Sequence, residues 1–131
     1  MNSSIDLPMI LAYAHDATVN QLLIVEEAGS SRLELVIKMH PDCGLPSLDD
    51  RTFRIVWRDV YRLCYDSVGY ARQASGDTVD QISSVVSSDR LASFLKLSQA
   101  QQTPLMWQLE CHSGSTLEMA TYEQPIFEQI V

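Results

Sequence analysis

Hydrophobic positions in this sequence fall into short runs bounded by turn residues, and most of those runs suit strands better than helices. Residues 19–27, Val-Asn-Gln-Leu-Leu-Ile-Val-Glu-Glu, form a β-prone stretch. Residues 32–39, Arg-Leu-Glu-Leu-Val-Ile-Lys-Met, alternate apolar and polar for most of their length. Ala28-Gly29-Ser30-Ser31 lies between them as a turn cluster, so the two runs are predicted to pair as a hairpin. Upstream, Pro8 to Tyr13 reads as a further, weaker strand because of its Ala and Met content.

His40 to Asp50 holds two prolines, a glycine and three aspartates, which is loop chemistry. The next run, 53–65, fits both periods. As a strand it places Phe53, Ile55, Trp57, Tyr61, Leu63 and Tyr65 on one side with Asp59 intruding. As a helix it places Phe53, Val56, Trp57, Val60, Tyr61 and Cys64 in a stripe. Aromatic and β-branched residues dominate while Ala, Glu and Lys are absent, which favours the strand. Residues 67–87 carry scattered apolar anchors for one or two short strands. Ser88 can cap a helix whose Leu91, Phe94 and Leu95 share a face, and Pro104 limits its length. Residues 105–111 and 116–122 flank His112-Ser113-Gly114-Ser115 as a second hairpin, with Pro125-Ile126-Phe127 covering its end. The sum is an α+β fold over residues 1–131, a single domain of mainly antiparallel hairpins with one helix near 88–100. There is no βαβ alternation, so a Rossmann or barrel-type enzyme scaffold is excluded.

Charge narrows the partners. The 131 residues carry a net charge of −8, split evenly: residues 1–66 hold six basic and ten acidic groups, residues 67–131 three and seven. Phosphate backbones and anionic membranes are repelled by such a field, whereas a basic protein is drawn to it. Three cysteines, Cys43, Cys64 and Cys111, make an odd, unpatterned set that suits a reducing compartment. The start of the chain lacks a positive region and a long apolar segment, and a bacterial cytoplasmic location is the expectation.

Catalytic signatures are scarce. There is no glycine-rich phosphate loop, no Walker lysine pair and no nucleophile elbow. The three histidines, His15, His40 and His112, are far apart in sequence, and no metal or cofactor is expected from their spacing. His15-Asp16 reads as a turn pair. His40-Pro41-Asp42-Cys43 puts an imidazole, a carboxylate and a thiol in one loop, and a structural role outweighs a cysteine nucleophile. Cys111 and His112 are adjacent at a strand end and so point to opposite faces. Asp59 on an aromatic face would be a perturbed acid, though a sheet edge, a bulge or an arginine pair is the commoner setting. Arg51, Arg54, Arg58 and Arg62 form the most basic stretch, and pairing with glutamates such as Glu34 or Glu110 on neighbouring strands is the favoured account.

The order of elements resembles small bacterial immunity proteins that neutralise toxins. The similarity lies in the N-terminal hairpin, the strand Phe53 to Val60, Ser88-Asp89-Arg90-Leu91 opening a helix, and the closing hairpin ending at Pro125-Ile126. It covers about two thirds of the chain, rests on apolar pattern, and transfers no functional residue. It implies a small acidic protein that inhibits a basic toxin by direct binding. A cytoplasmic monomer or weak homodimer that is not an enzyme is the expectation from the cysteines, the core and the scarce catalytic signatures. A secretion chaperone is the second reading, and an enzyme with an unfamiliar site the third. Tyr65, Asp66, Tyr70, Asp77 and Asp80 are the candidate partner contacts, because they fall in or beside the least regular segment.

Overall fold

The computed structural model describes residues 5–27, 30–66, 77–85 and 105–130, with side-chain detail for all of these except 27, 30, 61–66 and 85. The elements are α1 (Leu7–Ala12), β1 (Thr18–Glu27), β2 (Ser30–Lys38), β3 (Thr52–Asp66), β4 (Val79–Val85), β5 (Leu105–Cys111), β6 (Thr116–Thr121) and β7 (Ile126–Ile130). Among the described residues the protein is therefore mostly antiparallel sheet with one short helix. The helix expected near 88–100 lies outside them, as does the segment 67–76.

Both predicted hairpins form. β1 pairs with β2 from Thr18↔Lys38 to Glu27↔Ser30, and β5 pairs with β6 from Leu105↔Thr121 to Glu110↔Thr116. The ambiguous run is the long strand β3, the centre of the sheet order β1-β2-β3-β6-β5-β4. Its first half pairs with β2 and β7, and its second half pairs with β6.

A bulge makes that double duty possible. Leu33 faces Trp57, but Ser31 faces Val60, so three steps along β3 match two along β2. Asp59 takes up the surplus residue with φ of 51°. An inserted residue shifts the alternation by one and bends the strand. Val60 consequently turns inward with 6% of its surface exposed, continuing the buried series Phe53, Ile55 and Trp57. Asp59 therefore does not intrude on the aromatic face as a regular strand would require; it is half-buried at the bend.

Two further expectations are corrected. The segment expected as a strand at Pro8 to Tyr13 is instead the helix Leu7–Ala12 with its C-cap, because Asp6 caps it by accepting the Met9 amide at 2.9 Å and Pro8 sits in the first turn, where its missing N–H leaves no bond unmade. Ile10 is the buried face of this helix. Pro125-Ile126-Phe127 does not close the second hairpin. It leads into β7, which pairs with β3 from Thr52↔Ile130 to Val56↔Ile126, and Phe127 meets Phe53 edge to face at 6.3 Å between ring centroids.

The two ends of the strand order meet. Thr18 at the start of β1 bridges Thr78 just before β4. The Val19 amide donates to the Asp77 carbonyl and the Val79 amide to the Ala17 carbonyl, each at 2.8 Å. The curled sheet encloses one apolar cluster, with Leu33, Leu35 and Ile37 of β2, Trp107 and Leu109 of β5, and Leu117 and Met119 of β6 among its members. Trp57 and Trp107 pack edge to face at 6.1 Å inside it. Burial on this scale is the main favourable contribution to folding, at about 25 cal/mol per Å² of apolar surface.

Candidate functional site

The seam where the sheet meets itself gathers His15, Asp16 and His112 into one exposed cluster. Three segments converge there: the α1–β1 connection, the start of β4, and the β5–β6 turn. Asp16 adopts a φ of 68°, a left-handed conformation that aspartate tolerates better than most residues. That conformation aims its amide at the Val79 carbonyl, 2.8 Å away. The β5–β6 turn closes through Cys111 N to Ser115 O and Gly114 N to Cys111 O, both 2.9 Å, with Gly114 at a φ of 94° that only glycine adopts freely. The His112 amide donates to the Thr78 carbonyl at 2.9 Å, tying the turn to β4.

These backbone bonds bring His15, Asp16, Asp80 and His112 together. Asp16 Oδ1 lies 2.8 Å from His112 Nε2 and 3.5 Å from His15 Nε2. His15 Nδ1 lies 3.0 Å from the Asp80 carbonyl oxygen and 3.5 Å from its carboxylate. The two imidazoles meet edge to face with centroids 5.0 Å apart. The hydrogen bond to the Asp80 carbonyl, and then the Asp16 carboxylate, hold the His15 pKa above its ordinary value.

Ser113 stands beside His112 but serves another partner. Its hydroxyl donates to Asp77 Oδ2 and accepts the Ser115 amide at 3.2 Å. Serine, histidine and aspartate thus share one surface without forming the serine-to-histidine bond that a nucleophilic relay requires. Cys111, one residue from His112, points inward with 6% exposure, as the alternation predicts. Burial, and to a lesser extent Asp77, push its thiol pKa up to about 12.

Elsewhere the ordinary account holds. In the 40–50 loop the His40 ring accepts the Asp42 amide at 3.0 Å, while the Cys43 thiol donates to Asp49 at 3.1 Å. Burial raises the Cys43 pKa, so the loop is built around a quiet thiol rather than a thiolate–imidazolium pair. Two of the four arginines are matched by acids: Arg54 pairs with Glu128 and lies 3.9 Å from Glu34, and Arg58 lies 3.4 Å from Glu123. Arg51 donates to Gln129 Oε1 at 3.0 Å, and the Arg62 side chain is outside the described ones. Glu34 is the neighbour expected from sequence, whereas Glu128 and Glu123, brought in by β7 and the turn before it, stand where Glu110 was expected.

Of the predicted partner contacts, Asp77 and Asp80 lie at this seam. Asp66 and Tyr65 stand opposite Thr116 and Leu117 in the β3–β6 register, on the strand that leaves the same turn. Tyr70 lies outside the described residues. From sequence, His15-Asp16 is a turn pair far from His112, and nothing joins the two. The one available signal was that each sits at the edge of a predicted strand, but nothing local says which strand edges will touch.

No family model, characterised protein or solved structure matches the chain. Among the described residues no helix is long and apolar enough to cross a membrane.

Proposed function

We propose that this is a small acidic binding protein that docks a basic protein partner, and that it serves as an immunity protein inhibiting a toxin by direct contact. The observation that supports this reading is an imbalance of charge over the surface. Glu34, Glu123, Glu128 and Asp50 each have an arginine or lysine within ion-pair distance. Among the described residues, the ion-pair partners of Asp16 and Asp80 are histidines rather than lysines or arginines. Asp77 adds a further carboxylate whose neighbours are the Ser113 hydroxyl and the Thr78 amide. Much of the negative charge around the β5–β6 turn is thus left to act outward, where it speeds encounter with a cationic surface and fixes its orientation.

The test is affinity capture from the native organism, followed by titration of the captured protein against the parent and an Asp77→Asn/Asp80→Asn variant. Binding should weaken as salt rises past about 0.1 M, where the Debye length is about 10 Å, and should weaken in the variant. Affinity that is flat in salt and unchanged in the variant would remove the acidic face from the interface. If the captured partner is a toxin, its activity should fall as the complex forms. A partner that keeps full activity when bound supports the secretion-chaperone reading instead.

A further inference from the structure

We propose that His15, His112 and Asp16 form a binding site for a zinc-class divalent cation, with Asp80 orienting His15 from behind. This inference stands on the geometry of the cluster and does not rest on the partner-docking reading.

The donor atoms are already gathered. One ligand atom from each of the three residues lies within 4.8 Å of the others. Zinc binds nitrogen and oxygen at about 2.0–2.2 Å in a tetrahedron, which sets donors about 3.3–3.5 Å apart. The His15 Nε2 to Asp16 Oδ1 separation of 3.5 Å already has that value, and the His112 Nε2 to Asp16 Oδ1 separation of 2.8 Å needs only a small opening. The side chains are 60%, 38% and 50% exposed for His15, His112 and Asp16, so rings and carboxylate are free to make that adjustment.

A second observation concerns the tautomer of His15. Its Nδ1 lies 3.0 Å from the Asp80 carbonyl, and a carbonyl can only accept. The hydrogen is therefore on Nδ1, and in the neutral ring Nε2 keeps its lone pair on the side that faces Asp16. Histidine ligands of metals characteristically donate their other ring N–H to a carbonyl or carboxylate, which fixes the ring and raises its basicity. Asp80 supplies that support to His15, and its carboxylate also lies 4.0 Å from His112 Nδ1.

The backbone restricts the alternatives open to the cluster without metal. Asp16 is anchored to Val79 and His112 to Thr78, so ligands 96 residues apart in sequence are held by the same seam. The donor set also selects the ion. Two imidazoles disfavour magnesium and calcium, which prefer oxygen, and Cys111, next to His112 in sequence, is buried on the other face of its strand. Three protein ligands leave a fourth position open to water or an incoming group. When the ion binds, the neutral His112 ring carries its hydrogen on Nδ1, toward Asp80, so a proton leaving Nε2 is replaced by one at Nδ1 and the Nε2 lone pair bonds the metal in place of the contact with Asp16.

The experiment is calorimetric titration of the chelator-treated full chain with zinc chloride, repeated with cobalt(II) for its absorption spectrum. One equivalent of zinc should bind, and cobalt should give tetrahedral ligand-field bands without a thiolate charge-transfer band. His15→Ala and His112→Ala should each weaken binding by about tenfold or more while the far-ultraviolet spectrum stays that of the parent. Cys43→Ser should bind as the parent does. Excess magnesium should not displace the zinc. No binding to the parent, equal binding by both histidine variants, loss of binding in Cys43→Ser, or displacement by magnesium would each overturn the assignment.

Discussion

The backbone at Asp59 offers a direct test of the bulge in β3, because a regular strand and a bulge rank substitutions in opposite orders. In a regular half-buried strand, valine is favoured over glycine by about 1 kcal/mol. At a φ of 51° the order reverses. A left-handed conformation costs an ordinary L-residue about 1–2 kcal/mol, more for a β-branched one, and glycine nothing. Glycine gives back about 0.5–1 kcal/mol through the entropy of the unfolded chain. The net expectation is that Asp59→Gly matches the parent or exceeds it by up to about 1 kcal/mol. Asp59→Asn should be nearly neutral, since asparagine shares aspartate's tolerance, Asp59→Ala should lose about 1 kcal/mol, and Asp59→Val about 2 kcal/mol. Urea denaturation at neutral pH, fitted with a common slope, measures the series. A valine variant as stable as the glycine variant would mean that β3 runs straight through residue 59. Asp59 would then belong on the aromatic face, and the inward turn of Val60 would be wrong.

The thiols give a second prediction. Cys43 and Cys111, both held above the ordinary thiol pKa, should react slowly with a thiol reagent in the folded protein at pH 8 and rapidly in urea. For Cys111 the sign of the pH effect follows: the unfolded thiol ionises near 9 and the folded one near 12, so the unfolded state holds fewer protons between those values. Stability should fall as pH rises through that window, by at most about 1.4 kcal/mol per pH unit for one group, and Cys111→Ala should remove that slope. Identical pH profiles for the two proteins would contradict the burial argument. Arg58→Ala breaks an exposed pair with Glu123 and should cost less than about 1 kcal/mol in a denaturant melt, with partner binding intact. A variant of full stability that no longer captures its partner would relocate the docking surface to β3.

What the sequence made legible depended on how local the cause was. The two hairpins follow from alternation flanking short turn clusters, a pattern contained in about twenty consecutive residues each. The strand character of 53–65 came from composition, because its period suits both structures. A bulge is one of three common settings for Asp59, with a sheet edge and an arginine pair, and nothing local in the sequence selects among them. The short helix was misread from its apolar content, although Asp6 followed by Leu7-Pro8 is a capping signal that outweighs the propensity of a six-residue segment. β7 was missed because Pro125 suggests a turn, and only the long reach of β3 past β6 leaves an edge for Ile126–Ile130 to join.

The seam was hidden for a different reason. His15, Asp80 and His112 come from three segments that share no motif, and each alone is an ordinary polar residue beside a strand. Their meeting depends on the curl of the whole sheet, which carries the start of β1 back to the start of β4. Curl accumulates from strand twist and from the bend at Asp59, so a local feature of β3 bears on the spacing of ligands it does not touch. The polar character of the seam has a physical cause as well. The strand order meets itself there through the Thr18–Thr78 bridge and a few backbone bonds rather than along a full ladder. Backbone groups beyond such a junction turn toward solvent, and charged or hydrogen-bonding side chains can occupy that edge at little desolvation cost. The same solvent access leaves the acidic groups and the two imidazoles of the seam open to ligands from solution.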